Sequence, residues 1–223
     1  MDKKLFWGAM ARFFGGLVLT GALLFLPAGT LAYPEGWLLI CILFVPMFCA
    51  GLVMMAKNPA LLRKRLSARE EQTAQKRVIA LSGAMFLGIF VLAGLNFRFG
   101  WITLPRWAVW TAAAVFLLGY LLYAEVLREN TWLSRTVEVQ EHQTVVDTGL
   151  YGLVRHPMYA ATVLLFLSLP LVLGSVPSFV VSLVYLPIIA ARIRNEEAVL
   201  EQGLSGYAEY KQRVRYRLFP GVW

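Results

Sequence analysis

The sequence predicts an all-α polytopic membrane protein, with four transmembrane helices followed by a C-terminal helical hairpin. Composition is the first ground: of 223 residues, 59% are apolar and 15% charged. A mean hydropathy of +0.63 likewise lies outside what a water-soluble domain carries. Long charge-free runs are the second ground. The third is the placement of lysine and arginine, which fall almost wholly on one side once those runs are threaded through a bilayer. The same figures exclude a disordered tail, a collagen-like repeat and a disulfide-stapled secreted module, since the chain is too apolar, has no glycine period and holds 2 cysteines. A net charge of +8 would suggest nucleic acid in a soluble protein. Here it fits basic loops facing anionic headgroups, and no nucleic-acid partner is expected.

Near the N-terminus, Lys3, Lys4 and Arg12 flank an apolar run over 13–34. That run is too long for a signal-peptide core and lacks a small-residue cleavage site, so it is read as a retained span. Further runs over 36–56, 78–97 and 107–124 each approach the ~20 residues a helix needs to cross ~30 Å of hydrocarbon. Cys41 and Cys49 share the second run, roughly 12 Å apart along a helix axis and beyond disulfide reach, and are read as small apolar filler. The basic segment 57–77 opens on Asn58-Pro59, a helix cap and first-turn proline, and mixes Leu61, Leu62 and Leu66 with Arg63, Lys64 and Arg65. It suits either a helix along the inner leaflet or an ordinary positive-inside connector, and no chemistry is assigned to it.

A fifth run, 157–191, holds no charge over 35 residues but carries Pro170, Gly174, Ser175 and Pro177 at its middle, a helix-breaking cluster. It is read as a hairpin. With the N-terminus inside, the cytoplasmic side then holds three basic residues before Phe13, seven over 57–77, three over 128–155 and six from Arg192 onward. Only Arg98 and Arg106 fall outside. A single crossing would move the last group to the far face, against the positive-inside bias. Both termini are therefore expected in the cytoplasm. The chain divides into membrane helices 1 to 4 over 1–127 and a region over 128–223 that gathers the polar chemistry.

Within that region, Thr136-Val137-Glu138-Val139-Gln140 and Thr144-Val145-Val146 are β-branched runs flanking Glu141-His142-Gln143, with a turn at Asp147-Thr148-Gly149. They predict a small hairpin or a pair of extended segments. Next, Gly149 to Tyr159 delivers Arg155 and His156 to the membrane surface and starts a helix at Pro157. The free first-turn amides of that helix, beside Arg155, suit an anionic group. Limbs of similar length return Arg192 to the level of Pro157 with Arg194, Glu196 and Glu197 just beyond, so Arg155, His156, Arg192 and Glu196 are expected to cluster. Arg192 and Glu196 stand one helical turn apart. Tyr207, Tyr210 and Val214 recur at helical spacing and predict a short amphipathic helix that folds back as a lid.

Singly, each feature has a plain reading: headgroup anchors for the arginines, a cap for His156, a solvated face for the glutamates, an aromatic belt for the tyrosines. Their convergence at one depth on one side points to a site. No dinucleotide fingerprint, Walker A loop, His-Glu-x-x-His or Cys/His pattern is present, and with two histidines and no carboxylate pair inside a span no metal site is expected.

Gly149-Leu150-Tyr151, Arg155-His156-Pro157-Met158-Tyr159, the apolar hairpin, Arg192, Glu196-Glu197 and the Tyr207-x-x-Tyr210 helix occur in this order. Together they resemble the isoprenylcysteine carboxyl methyltransferase family and the wider group that includes phospholipid N-methyltransferases. The resemblance covers 128–223, and the first four spans match only as apolar helices. It implies an enzyme that takes S-adenosylmethionine from the cytosol and a lipophilic substrate from the bilayer, with a carboxylate as the foremost acceptor. It also implies a cytoplasmic cofactor pocket closed by the short C-terminal helix. Carried over residue by residue, that pocket uses Gln143, Thr144, Val145, Val146, Tyr151, His156, Pro157, Met158, Tyr159, Glu196 and Glu197. Arg192 holds the reacting end of the substrate, and Arg155 is grouped with it as catalytic. One departure stands out: family members can carry histidine where this chain has Gln143, with His142 one position earlier.

A carboxylate acceptor needs no general base, whereas an amine would call on His156 or Glu197. Two other classes compete. NADPH-dependent membrane sterol-type reductases share Asn or His before Pro, a Tyr and a closing Tyr helix, but use more spans. A small non-enzymatic transporter or assembly factor would leave the cytoplasmic cluster unexplained. The lack of long polar extensions suits a bacterial inner membrane. The sequence sets neither the acceptor, whether carboxylate, amine or hydroxyl, nor the oligomeric state.

Overall fold

Prolines and glycines set the helix boundaries. The structure, a computed structural model, describes residues 3–67, 73–133, 137 and 139–223. Helix α1 (Lys3–Ala28) ends before Gly29, and α2 (Pro34–Lys57) starts at a proline, whose missing amide costs nothing in a first turn. Asn58 ends α2, and α3 (Pro59–Ser67) restarts at Pro59, while 68–72 of the basic connector lie outside the described residues. Then come α4 (Thr73–Phe99), α5 (Arg106–Glu129), a 3-10 turn at Gly149–Gly152, α6 (Pro157–Val172), α7 (Val176–Ser182), α8 (Tyr185–Gly203) and α9 (Tyr207–Arg213). The all-helical class read from the sequence holds, and no strand forms among the described residues.

The hairpin turns where expected. Gly174 takes φ +67°, and Ser175 caps α7 by accepting the Ser178 amide. The Tyr33 hydroxyl donates to the Leu173 carbonyl at 2.6 Å and the Leu104 amide to the Gly174 carbonyl at 3.3 Å, fastening this turn to the α1–α2 and α4–α5 connections. At the opposite end Arg155 meets Glu197 at 2.8 Å, so the two limbs double back. The sequence reading does not anticipate one break, at Leu183 and Val184, which divides the returning limb into α7 and α8. Pro187 lacks the amide that would bond the Leu183 carbonyl, and its ring crowds that carbonyl. The Leu186 amide takes it instead, at 3.1 Å, in a tighter turn.

The expected hairpin or extended pair before Gly149 falls partly outside the described residues. Thr136 and Glu138 lie outside the described residues, and 143–147 run without a strand partner. The β-branched side chains have another use: Val139 and Val145 pack against Leu204, Tyr207, Tyr210 and Val214.

Among the described residues, five helices are long and apolar enough to cross a bilayer: Lys3–Ala28, Pro34–Lys57, Ile79–Phe99, Arg106–Glu129 and the joined run Val176–Gly203. Helix α6, at 16 residues, is shorter than a full crossing, and ten of its residues are buried. Large apolar side chains face outward, with Leu26 76% and Trp107 72% exposed, which marks an integral membrane protein. Leu24, Leu39, Ile89, Phe116, Val172 and Ile193 fill the interior.

Lipid tails are as apolar as leucine, so helices in a bilayer associate through close packing rather than water exclusion. The α1–α4 contact shows this at Gly94, where a Cβ would stand 2.5 Å from the Leu24 carbonyl oxygen and 3.0 Å from the Ala28 nitrogen. Gly94→Ala is therefore expected to cost about 1–3 kcal/mol. Gly88→Ala meets no atom within 4 Å and is expected to be neutral or to stabilise by up to about 1 kcal/mol. Thermal unfolding in detergent compares the two, and equal midpoints would show that α1 and α4 do not depend on this contact.

Candidate active site

Past α5 the chain turns polar and folds over one end of the bundle. The Glu129 carboxylate accepts the Leu150 amide at 3.0 Å. Gly149 lies against that carboxylate at φ +51°, and a Cβ there would fall 1.3 Å from Glu129 Oε1, so only glycine fits. Asn130 ends α5, donates to the Tyr151 hydroxyl at 2.8 Å and accepts the Trp132 amide at 2.9 Å. A turn follows in which Gln143 Oε1 accepts the Gln140 amide at 2.9 Å. His142 occupies its tip at φ +58° and is exposed, away from the cleft described below.

A buried charge cluster ties α6, α8 and the C-terminal segment together. The side chains of Arg155 and Glu197 are each 4% exposed and pair at 2.8 Å. Arg155 also donates to the carbonyls of Val214 at 2.6 Å and Arg215 at 2.8 Å. Glu197 accepts from Arg217 Nε at 2.9 Å and lies 3.2 Å from His156 Nε2. The Arg155 and His156 amides, just ahead of α6, donate to the Tyr216 and Arg217 carbonyls at 2.9 Å each. Charges taken from water need partners for every donor, and the tail supplies them.

Above this cluster opens a cleft with about 830 Å3 between its walls, part of it continuous with solvent. Of the residues expected at the site, Gln143, Thr144, Val145, Val146, Tyr151, His156, Met158, Tyr159, Arg192 and Glu196 line it together. Arg155, Pro157 and Glu197 do not. Pro157 starts α6, while Arg155 and Glu197 spend their hydrogen bonds on each other and on the tail. The expectation that Arg155 greets an anionic ligand therefore meets a different arrangement: the chain's own C-terminal carbonyls occupy the Arg155 side chain and the two amides ahead of α6.

Tyr159 links the two sides of the cleft. Its hydroxyl donates to Glu196 Oε2 and accepts from Arg192 Nε at 2.9 Å, so both charged side chains of α8 are held on one phenol from α6. His156 Nδ1 lies 3.9 Å from Glu196 Oε1. The lining also includes Asn130, Trp132, Leu133, Val137, Leu200, Leu204, Tyr207 and Tyr210, which the sequence reading does not assign to binding. Leu200 and Leu204 continue the Arg192–Glu196 face at helical spacing, a signal available in the sequence. Asn130 and Trp132 follow no such pattern. Burial pushes the phenols of Tyr151, Tyr207 and Tyr210 well above their ordinary range, so all three are fixed as protonated hydroxyls.

The protein-family comparison matches residues 107–205 to the phospholipid methyltransferases. The matched segment runs from the start of α5 to just past α8 and so includes every residue lining the cleft except Tyr207 and Tyr210. A second comparison finds the cobalt-zinc-cadmium resistance protein CzcN of Cupriavidus metallidurans, 29% identical over 127 residues, 56% of each protein. The chain thus spans little more than half the length of that relative.

Proposed function

We propose that this protein moves a methyl group from S-adenosylmethionine to a lipophilic acceptor resident in the bilayer, with a carboxylate as the acceptor the residues suit best. The observation that carries the reading is the cleft lined by the segment that matches the phospholipid methyltransferases. There Glu196 and Arg192, of opposite charge, are held on the single hydroxyl of Tyr159. The residues present fit the cofactor. Glu196 suits an ammonium or ribose hydroxyl, and His156 stands beside it. Val145, Leu200 and Leu204 offer an apolar wall for a purine ring. In this reading 1–127 form the membrane frame and 128–223 the cofactor-binding unit.

When bound, S-adenosylmethionine supplies an electrophilic methyl on a sulfonium. The chain's own part is positioning and exclusion of water, the main demands of an in-line displacement. Arg192 would orient an acceptor carboxylate through paired hydrogen bonds, and no proton need be removed from that group. Arg155 and Glu197 serve as the base on which His156 and the C-terminal segment are set. The basic residues around this end support placing it, with both termini, on the cytoplasmic side, and a bacterial inner membrane suits the short connections. The metals in the relative's name are not carried over: among the described residues no group of three His, Cys, Asp or Glu side chains is arranged to hold a metal ion.

Titration of the detergent-purified chain with S-adenosylmethionine and with NADPH tests the reading. Saturable binding of the first alone is expected, weakened about 10- to 100-fold in Glu196→Ala, the loss expected for a charge-assisted hydrogen bond. His156→Ala is expected to weaken it in the same direction. Binding of NADPH alone would replace the methyltransferase reading with a reductase.

A further inference from the structure

Four tyrosines line the cleft, and three of their hydroxyls are committed. Tyr151 accepts from Asn130 at 2.8 Å, Tyr159 joins Glu196 to Arg192, and Tyr210 donates to the Tyr151 carbonyl at 2.8 Å. Tyr207 differs. It is 4% exposed, and among the described residues its hydroxyl is the buried side-chain polar atom with no hydrogen-bond partner. A sheltered hydroxyl without a partner forfeits about 1–3 kcal/mol of solvation, so a fold that keeps one calls for an explanation.

The surroundings indicate what would complete it. Tyr207 packs in the apolar wall made by Leu204, Tyr210 and Val214 with Val139, Val145 and Leu200. Burial and the nearby carboxylates of Glu197 and Glu196 keep its proton on, so it can only serve a ligand as a donor without losing it. The charged groups Glu196, His156 and Arg192 line the same cleft as this apolar cluster. A second carboxylate beside Glu196 would be repelled, whereas a flat, uncharged heteroaromatic fits an apolar wall and brings acceptor atoms of its own.

Resting on the S-adenosylmethionine reading above, we infer that Tyr207 is a cofactor-binding residue whose hydroxyl donates to an acceptor on the adenosyl part. Glu196 and His156 take the amino-acid end. Ligand entry then satisfies a donor that no group among the described residues takes up, and it fixes α9 against the cleft. This makes α9 part of the binding site rather than a passive cover.

The test is Tyr207→Phe in the full chain, titrated with S-adenosylmethionine and with 5′-methylthioadenosine, which keeps the adenosyl part and lacks the amino-acid end. Both affinities should fall by the same factor, about 3- to 10-fold. The ligand-free thermal midpoint should equal or exceed the wild type's, because the variant no longer buries an unpaired hydroxyl. Unchanged affinity for both ligands would overturn the assignment. Loss for S-adenosylmethionine alone would place the contact at the amino-acid end and overturn it as well. A lower ligand-free midpoint would show that the hydroxyl has a protein partner and would likewise overturn it. A wild-type chain that binds neither ligand would overturn the cofactor reading itself, a result the wild-type titration gives before any variant is made.

Discussion

Glu197→Ala is expected to cost about 3–5 kcal/mol of stability, the largest loss of any single change in the C-terminal half. One carboxylate holds Arg155 at 2.8 Å, Arg217 at 2.8 Å and His156 Nε2 at 3.2 Å. Removing it leaves the Arg155 guanidinium, 4% exposed, with the carbonyls of Val214 and Arg215 but no counter-charge. Desolvation of an uncompensated cation far exceeds what those two carbonyls return. Glu197→Gln keeps the shape and one acceptor oxygen but turns an amide donor toward an arginine, so an intermediate loss is expected. Arg217, with its side chain 27% exposed, can be rehydrated by water, and Arg217→Ala should cost less than either. Thermal unfolding in detergent ranks the three, and limited proteolysis reports release of the tail beyond Arg213. Wild-type stability in Glu197→Ala would show that the cluster is not what fastens the tail.

Much of this arrangement is legible in the sequence because charge is so unevenly placed along an apolar chain. The helix breakers at Gly174 and Ser175, and the basic residues on both sides of the last run, force the hairpin. The hairpin brings Arg155, His156, Arg192 and Glu196 to one end. The division of labour within the cluster is harder to see. Glu196 and Glu197 look alike as a pair, yet neighbours on a helix point about 100° apart. One faces the cleft and the other the C-terminal segment. Arg155 and Arg192 part in the same way, and what separates them is the course of the tail over 214–218, which has no periodic signal. The β-branched stretch before Gly149 serves a packing role that its pattern does not show. Val139 and Val145 are half-buried against α9 and Gly203, where a Cβ would stand 2.9 Å from Val139 Cγ2, so a pattern that suits a sheet serves a coil pressed on a helix.

Arg192→Ala is expected to lower methyl transfer by about 10²- to 10³-fold, the range seen when one oriented donor is removed from a reacting centre, while S-adenosylmethionine affinity changes far less. The asymmetry follows from the geometry. Arg192 reaches Tyr159 through Nε at 2.9 Å and is thereby held in the cleft, one helical turn before Glu196. Tyr159 still donates to Glu196 when the arginine is gone, so the side assigned to the cofactor keeps its internal hydrogen bond. What disappears is a planar cation able to grip two oxygens at once. Arg192→Lys restores charge without that fork, and its rate should fall between alanine and wild type if orientation rather than charge alone matters. Labelled methyl appearing in lipid-soluble material gives the rate without prior choice of acceptor, and equilibrium titration gives the affinity. Equal loss of rate and affinity in Arg192→Ala would move Arg192 from the acceptor to the cofactor, and a lysine variant as slow as alanine would make the paired hydrogen bonds, more than the charge, the source of its effect.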